Sequence, residues 1–548
     1  MRVTLILSFL FLFAAILLGR LAYIQIGQHD FYSALAHGQQ GFFIKTQGER
    51  GEVFFRSGEP LAINRTFIYV FASPPRIENP EETAMILSHS LNLPQDLVLE
   101  RITQKNSFFE LLKNRLTEEE VVDLKKKNLP GIYFSKEILR YYPQDFLASQ
   151  IIGFVDRDGR GQYGIEGQHN NILHGREGFK RGQRDVWGRI LGSVIGDRGQ
   201  DGQDLTLTLD YNIQFMAENL LQEAFEKLNI RDGQIIVADP ISGEILAMAS
   251  HASSFDPNYF SKFYDLGVFK NPAIQKIFEP GSVIKPFTLA IALEENKITP
   301  ETKYVDTGKI EIGRHLIRNY RNRTFGEKTM TGVLVKSINT GTVHAAQLIG
   351  LDKFLRYFER FGFFNLTGIE LQGEVAFHNN ALRRGREINL ATASFGQGIS
   401  MTPIQLVQAF SVFANQGRLV RPQIIKNNHN QEYQQVISKE TALKVTNMLV
   451  ETVNDPWGKR AQVPGYYIAG KTGTAQIPWT TLGYNKPGYS DEVIHSFIGF
   501  GPAYNPRFLI LVSLDNAQNV ETVSISSMSI FQRLATHIIN LWQIPPDY

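Results

Sequence analysis

Ser282 and Lys285 stand three residues apart, directly after the Pro280-Gly281 breaker and ahead of the apolar segment 288–295. Pro-Gly ends one element, and Ser282 opens a helix. Positions i and i+3 of a helix share a face, so the Ser282 hydroxyl and the Lys285 amine are expected in one space. Pro286 is tolerable only in a first turn, where N–H groups have no intrahelical partner, and this sets the helix start at about Ser282. A neutral hydroxyl becomes a nucleophile when a base removes its proton. Lysine can be that base when desolvation or a second cation lowers its pKa. The N-terminal end of a helix also favours negative charge developing nearby. Alone, the S-x-x-K spacing is a weak signal, and a solvated helix start reads the same way.

Two further motifs follow in order. Ser337-Ile338-Asn339 lies between two helical patterns, and Lys471-Thr472-Gly473 lies in a strand-like run, 467–475. Singly, Lys471 reads equally as a surface strand lysine, Ser337 as a helix cap and Asn339 as a turn former. Jointly, the ordered triple S-x-x-K, S-x-N, K-T-G resembles the signature of penicillin-binding proteins and serine β-lactamases. The other S-x-N, at Ser90-Leu91-Asn92, precedes the serine and is out of order.

The elements that must position these residues are legible as a pattern. With 548 residues the chain is long enough for several domains. A net charge of +2 with 20% charged residues points neither to a nucleic-acid partner nor to disorder. There is no cysteine, which excludes disulfides and thiol nucleophiles, and the 12 histidines form no metal-ligand spacing. Residues 3–18 are almost wholly apolar, and 3–24 suffices to span a bilayer if Arg20 reaches the far interface. The run is long for a cleaved signal and lacks a small-x-small site directly after it, so an uncleaved anchor over 1–26 is expected. Arg2 and the terminal amine weakly place the N-terminus in the cytoplasm and the remainder outside.

Residues 27–205 read as a mixed α/β module. It contains a hairpin over 50–62 and helix-like sequence over 80–129. Gly159-Arg160-Gly161-Gln162-Tyr163-Gly164 matches G-x-G-x-x-G, but Asp156-Arg157-Asp158 stands where a dinucleotide site needs a strand running into the turn. A glycine-rich loop is the better reading. The segment 195–204 has linker composition, and a linking strand and helix cover 206–230. From 231 to 548, strands at 234–250 (a hairpin about Pro240), 467–475, 495–503 and 507–513 bracket helices, including one opened by Thr402 as cap with Pro403 behind it. A last amphipathic helix covers about 524–542. The expected fold class is α+β: an antiparallel sheet, its strands drawn from both ends of the domain, with helices on both faces.

The resemblance reaches beyond the triple. Ser394-Phe395-Gly396-Gln397-Gly398, with Thr402-Pro403 and Gln405-Leu406 after it, is similar to the transpeptidase run S-F-G-Q-G-x-x-x-T-P-x-Q-L. Arg50-Gly51 through Leu61-Ala62 resembles the R-G-x-I-x-D-R-N-G-x-x-L-A element of class B penicillin-binding proteins, with Phe55 where that family has Asp. Arg140-Tyr141-Tyr142-Pro143, 150–155 and Gly164-Ile165-Glu166 also resemble that class's N-terminal module. The resemblance implies a β-lactamase-like transpeptidase fold over 231–548. It implies Ser282 as nucleophile, Lys285 as general base, Ser337 as proton relay, Asn339 holding substrate and Lys285, and Lys471 adding positive charge. Thr472 and Thr474 would bind the substrate's terminal carboxylate, Gly473 would let ligand approach the strand, and the N–H groups of Ser282 and Thr474 would form an oxyanion hole. It further implies D-Ala-D-Ala stem peptides of peptidoglycan as substrate, β-lactams as covalent inhibitors, no cofactor, and a SEDS-family glycosyltransferase partner. The place implied is the cytoplasmic membrane, single-pass, with the catalytic domain on the extracytoplasmic (periplasmic) side. Two alternatives stay open: a β-lactamase or β-lactam sensor, and a catalytically idle wall-synthesis scaffold. The FtsI-like division branch is slightly favoured by Glu279-Pro280-Gly281-Ser282.

Overall fold

The computed structural model describes residues 2–30, 41–104, 107–184, 190–197, 199–250, 255–426, 433–518 and 523–548. The chain divides into two compact units: residues 1–51 with 171–203, and residues 52–170 with 204–548. In the first, an apolar helix, Arg2–Ala22, runs on as one π-turn, Tyr23–Gly27. The stretch Ile6–Gly27 has a mean hydropathy of 2.1 and is, among the described residues, the one helix long and apolar enough to cross a membrane. The same unit holds an antiparallel sheet of Gly41–Gln47, Glu177–Arg184 and Ile190–Gly196. The predicted linker 195–204 therefore begins inside a strand, and Arg198 within it lies outside the described residues.

In the second unit, Val53–Phe54 and Pro60–Ala72 pair antiparallel about the turn at Ser57-Gly58, as the turn residues predict. Phe55 is fully buried and packs edge-on against Tyr211 with ring centroids 5.4 Å apart. An aromatic contact thus occupies the position where the resembled element carries Asp. The strand Pro60–Ala72 also pairs with Ile132–Tyr141 along ten residues, from Ile63 against Tyr141 to Ala72 against Ile132. The span 80–129 is not helical throughout. Helices Pro80–Leu91, Gln95–Ile102 and Glu118–Lys127 are interrupted by the strand Glu110–Lys113, which pairs with the end of Pro60–Ala72. A four-residue run carries no period of its own, so only the tertiary pairing decides its type. The glycine-rich match at 159–164 runs from the turn of a small hairpin, Phe154–Val155 with Gly161–Gln162, through its second strand to the start of the short helix Gly164–Gln168, and in the turn Asp156 accepts the N–H groups of Asp158 and Arg160.

Arg140 and Glu166 form a buried ion pair, Nε to Oε1 2.7 Å, with side chains 5% and 0% exposed. Removing one partner of a buried pair strands the other charge. Glu166→Ala is expected to lower unfolding stability by about 3 kcal/mol, read as a drop in melting temperature. A shift within error would show that Arg140 finds other partners.

The larger part of this unit starts with α1, Tyr211–Leu228, capped by the Asp210 carboxylate, which accepts the N–H groups of Asn212 and Ile213. The sheet contains β1 (Asp232–Ala238), β2 (Ile245–Ser250), β3 (Ala469–Pro478), β4 (Tyr489–Gly501) and β5 (Phe508–Asp515). Its order is β2-β1-β5-β4-β3, every neighbour antiparallel. Strand side chains alternate between faces. Ile235 and Val237 of β1, with Ile510, Val512 and Leu514 of β5, join one core with Ile213, Leu220 and Leu221 of α1 and Phe531, Leu534 and Ile538 of α6 (Val523–Leu541). Ile236, Leu509 and Leu511, equally buried, take the other face, where the wholly buried helix α5 (Pro403–Ala414) packs on β1 and β5. Thr402 and Gln405 close a capping box at the start of α5, so Thr402-Pro403 marks its boundary as the sequence indicates. Strands from both ends of the domain, with helices on two faces, make the α+β architecture.

Candidate active site

Ser282 sits in a single 3₁₀ turn, Gly281–Ile284, and the α-helix proper, α2 (Lys285–Glu294), begins at the lysine. The helix was expected to open at Ser282. The tighter turn has three residues per turn, so i and i+3 eclipse, and the serine and lysine are aligned along one side of the element. Pro286 falls in the first turn of α2, where no intrahelical bond is lost. Gly281 has φ +62°, and a Cβ there would lie 2.8 Å from the Thr474 carbonyl oxygen. Only glycine lets the Ser282 turn meet β3 this closely. The other side of the turn is pinned by the segment 394–401. The Gly281 N–H donates to the Gly396 carbonyl (3.0 Å), Phe278 and Met401 exchange backbone hydrogen bonds, and the Thr288 hydroxyl donates to the Ser394 carbonyl (2.8 Å).

Ser337 lies between α3 (Met330–Val335) and α4 (Asn339–Ile349) with φ +56°. Such a conformation costs a non-glycine residue of order 1–3 kcal/mol and persists only where the surroundings impose it. Here it turns both the carbonyl and the hydroxyl of Ser337 to Lys285, whose Nζ donates to them at 2.5 and 3.0 Å and to Asn339 Oδ1 at 2.7 Å. Lys471 Nζ donates to the same Ser337 hydroxyl at 3.2 Å and to the Thr472 carbonyl at 3.0 Å. The two amines therefore share one hydroxyl.

Lys285 is 0% exposed and Lys471 1%. Burial, joined by the repulsion of Lys471, holds the Lys285 amine well below the ordinary lysine value, and burial brings Lys471 down to about 7. Neither has a carboxylate within ion-pair distance among the described residues. A buried, unpaired lysine is poor at keeping its proton, so it can present a free amine as base to a neighbouring hydroxyl.

Above this pair opens a cleft of about 930 Å³, lined by Ser282, Ser337, Asn339, Thr472 and Thr474 among others. Thr472 and Thr474 are two apart on an edge strand and share a face. Gly473, between them, is buried. A Cβ there would collide with Ser496 Oγ and sit 3.0 Å from the Pro280 carbonyl oxygen and from Val283. Its lack of a side chain thus serves the packing of β3 against the Ser282 turn. All the residues singled out in the sequence converge on this one place, either on the cleft wall or directly beneath it.

A family model described as the penicillin binding protein transpeptidase domain matches residues 233–536. A second, the penicillin-binding protein dimerisation domain, matches 45–207. The chain belongs to the penicillin-binding proteins. It is 33% identical to stage V sporulation protein D of Bacillus subtilis, with 91% of this chain and 79% of that protein covered. It is 31% identical to the probable peptidoglycan D,D-transpeptidase PbpC of Pseudomonas aeruginosa, over 96% and 93% of the two chains. With the peptidoglycan D,D-transpeptidase FtsI of Escherichia coli it shares 28% identity over 100% and 92%. Among solved structures, penicillin binding protein 2X from Streptococcus thermophilus superposes with a TM-score of 0.74 at 22% identity, covering 91% of this chain and 80% of that one, which establishes a shared fold.

In this penicillin-binding protein one group of site residues escaped the motif reading. Asp306, 1% exposed, accepts both Asn319 Nδ2 contacts (2.9 Å), the Thr340 hydroxyl (2.7 Å) and the N–H groups of Gly308 (3.0 Å) and Phe325 (2.8 Å). Asn319 Oδ1 accepts the Thr340 N–H, and Asn339 Nδ2 donates to the Arg318 carbonyl at 2.9 Å. This network ties the hairpin Lys309–Ile312 with His315–Arg318 to the first turn of α4. Burial pushes the Asp306 carboxyl up, but the hydrogen bonds from Thr340, Gly308, Asn319 and Phe325 outweigh it and leave the group below its ordinary value. No local pattern marks Asp306 in the sequence, because its partners come from three separate segments.

Proposed function

We propose that this chain is a membrane-anchored serine acyltransferase, a peptidoglycan D,D-transpeptidase, acylated by penicillin at Ser282. The observation that carries the reading is the buried Lys285, held by Ser337 and Asn339 beside Lys471, one 3₁₀ turn after a serine that lines an open cleft. The transpeptidase domain and the naming of relatives as peptidoglycan D,D-transpeptidases support the reaction and the FtsI-like branch.

In this reading the free-amine form of Lys285, favoured by burial and by Lys471, takes the Ser282 proton as Oγ attacks the carbonyl carbon of a D-Ala-D-Ala bond. Negative charge developing on the carbonyl oxygen is met by the N–H groups of Ser282 and Thr474, each such donor contributing about 3 kcal/mol to the transition state. The Ser337 hydroxyl, bonded to both amines, passes a proton to the departing D-Ala amine. Lys471 with the Thr472 and Thr474 hydroxyls holds the terminal carboxylate, and Asn339 holds the peptide backbone. An amine of a second strand then attacks the acyl-enzyme and restores Ser282. A β-lactam follows the first half of this course and stays. Residues 1–26 form the anchor, 27–205 a non-catalytic module, 206–230 a link and 231–548 the catalytic domain. The catalytic domain lies on the extracytoplasmic side, where its substrate is, and a SEDS-family glycosyltransferase is the membrane partner.

The deciding test is labelling of the full chain with a fluorescent penicillin beside Ser282→Ala. Label that requires Ser282 and persists for hours is expected. Label that forms and vanishes quickly would point to a β-lactamase, and none at all to an idle scaffold. The pH dependence is a second check. The free amine is the base, so acylation rises with pH through the depressed Lys285 value, and its ascending limb is expected well below the ordinary lysine range. A limb near the ordinary lysine value of about 10.4 would exclude a depressed lysine as base.

A further inference from the structure

The cleft has a charge that the acyl-transfer machinery does not use. Among the described residues of its wall are Arg318, Arg321, Arg323, Lys336 and Arg460, against one carboxylate, Asp491. The chain as a whole carries only +2, so this is a local concentration. These cations are separate from Lys285 and Lys471, which lie buried beneath the cleft and are committed to Ser337.

The arrangement is built around Trp457. The Arg323 guanidinium lies 4.7 Å and Lys336 Nζ 4.9 Å from the indole centroid. Asp455 fixes the group, accepting from Lys336 Nζ at 2.7 Å and from the backbone N–H of Trp457 at 3.1 Å. Lys336 is thus partly neutralised. Arg318, Arg323 and Arg460 form no ion pair with a carboxylate among the described residues. Stacking on an aromatic face orients a guanidinium while leaving its N–H donors directed outward, as a carboxylate partner would not. Trp457 itself is 49% exposed, a large aromatic surface at the mouth of a reaction cleft. Arg318 joins this wall to the site directly, since its carbonyl accepts from Asn339.

We propose that Arg323 and Lys336, set over the Trp457 ring, form with Arg318 and Arg460 of the same cleft wall a second anion subsite that takes a carboxylate of a peptide strand other than the terminal carboxylate at Lys471. The inference rests on the transpeptidase reading and adds to it a substrate class, an acidic peptide. The carboxylate could belong to the donor strand, upstream of its D-Ala-D-Ala end, or to the strand that supplies the attacking amine. Guanidinium forks match carboxylates in either case.

The test uses the full chain in detergent and follows how peptides slow acylation of Ser282 by a fluorescent penicillin. One pair of peptides ends in D-Ala-D-Ala and differs only in an upstream side-chain carboxylate or its carboxamide. A second pair carries the acceptor amine and differs in the same way. Amidation is expected to weaken competition about tenfold in one pair, the scale of a charge-assisted hydrogen bond, and the pair that responds names the strand. In Arg323→Gln and in Arg460→Gln, both at exposed positions, that difference is expected to shrink to under about threefold, and raised salt should shrink it in the unaltered chain too. Equal competition by acid and amide in both pairs would overturn the subsite while the reading stands, provided penicillin acylates Ser282. A preference unchanged in both variants would also overturn it. Failure of penicillin to label the unaltered chain would remove the reading and the subsite together.

Discussion

Lys285→Ala is expected to slow penicillin acylation of Ser282 about a thousandfold, the middle of the range for loss of a positioned general base. The expectation follows from geometry and desolvation together. The amine is wholly buried, lies one 3₁₀ turn from the serine, and donates to Ser337 and Asn339. Lys471 does not substitute for it, being committed to Ser337 from the far side and to the Thr472 carbonyl. The fold should survive. Deletion removes a buried amine whose protonated form is disfavoured there, and it strands only two acceptors, Asn339 Oδ1 and the Ser337 carbonyl. The linkage has a definite sign. Both lysines are depressed in the folded chain, so the unfolded chain binds more protons between the depressed values and about 10.4, and their contribution to stability rises with pH across that window. Second-order acylation rates, with a melting curve for each variant, provide the check. Normal labelling in a folded Lys285→Ala would remove this residue as the base.

Asp306→Ala is expected to cost about 3 kcal/mol of stability and to cut acylation about a hundredfold, although Asp306 does not line the cleft. The carboxylate satisfies the Thr340 hydroxyl, the Asn319 amide and two backbone N–H groups in a nearly water-free place. Without it those donors are stranded, and the hairpin that holds Asn339 through the Arg318 carbonyl loses its anchor. Asp306 is a positioning residue, so the loss should appear in the acylation rate of folded protein as well as in the melting temperature. Because its folded pKa is depressed, its contribution is present above about pH 3.9 and lost as pH falls through the folded value. A melting temperature lowered as expected with full acylation activity would show that the hairpin does not position Asn339.

The elements that carry their own punctuation were legible from sequence. The helix Tyr211–Leu228 has Asp210 as its cap, and the helix from Pro403 has a Thr402 capping box. The hairpin of β1 and β2 shows apolar runs about a Pro-and-Gly turn. The strand Glu110–Lys113 lacked any such mark and read as helix, because its identity comes from pairing with residues 70–72. Phe55 looked like a departure from a family pattern, and the structure accounts for it by burial against Tyr211.

What the sequence determined by itself is the chemical inventory: a serine, two lysines, a second serine, an asparagine and hydroxyls flanking a glycine, in an order and context that resemble one family. Local rules suffice for that, since motif residues, caps and turns act over a few positions. Tertiary structure alone decided how that inventory behaves. The depressed lysines exist because α2, α4 and β3 close over both amines, and desolvation depends on everything packed around a group. The need for glycine at 281 and 473 arises where β3 meets the Ser282 turn. The Asp306 network and the cationic wall about Trp457 join segments far apart in sequence, and no periodicity links them.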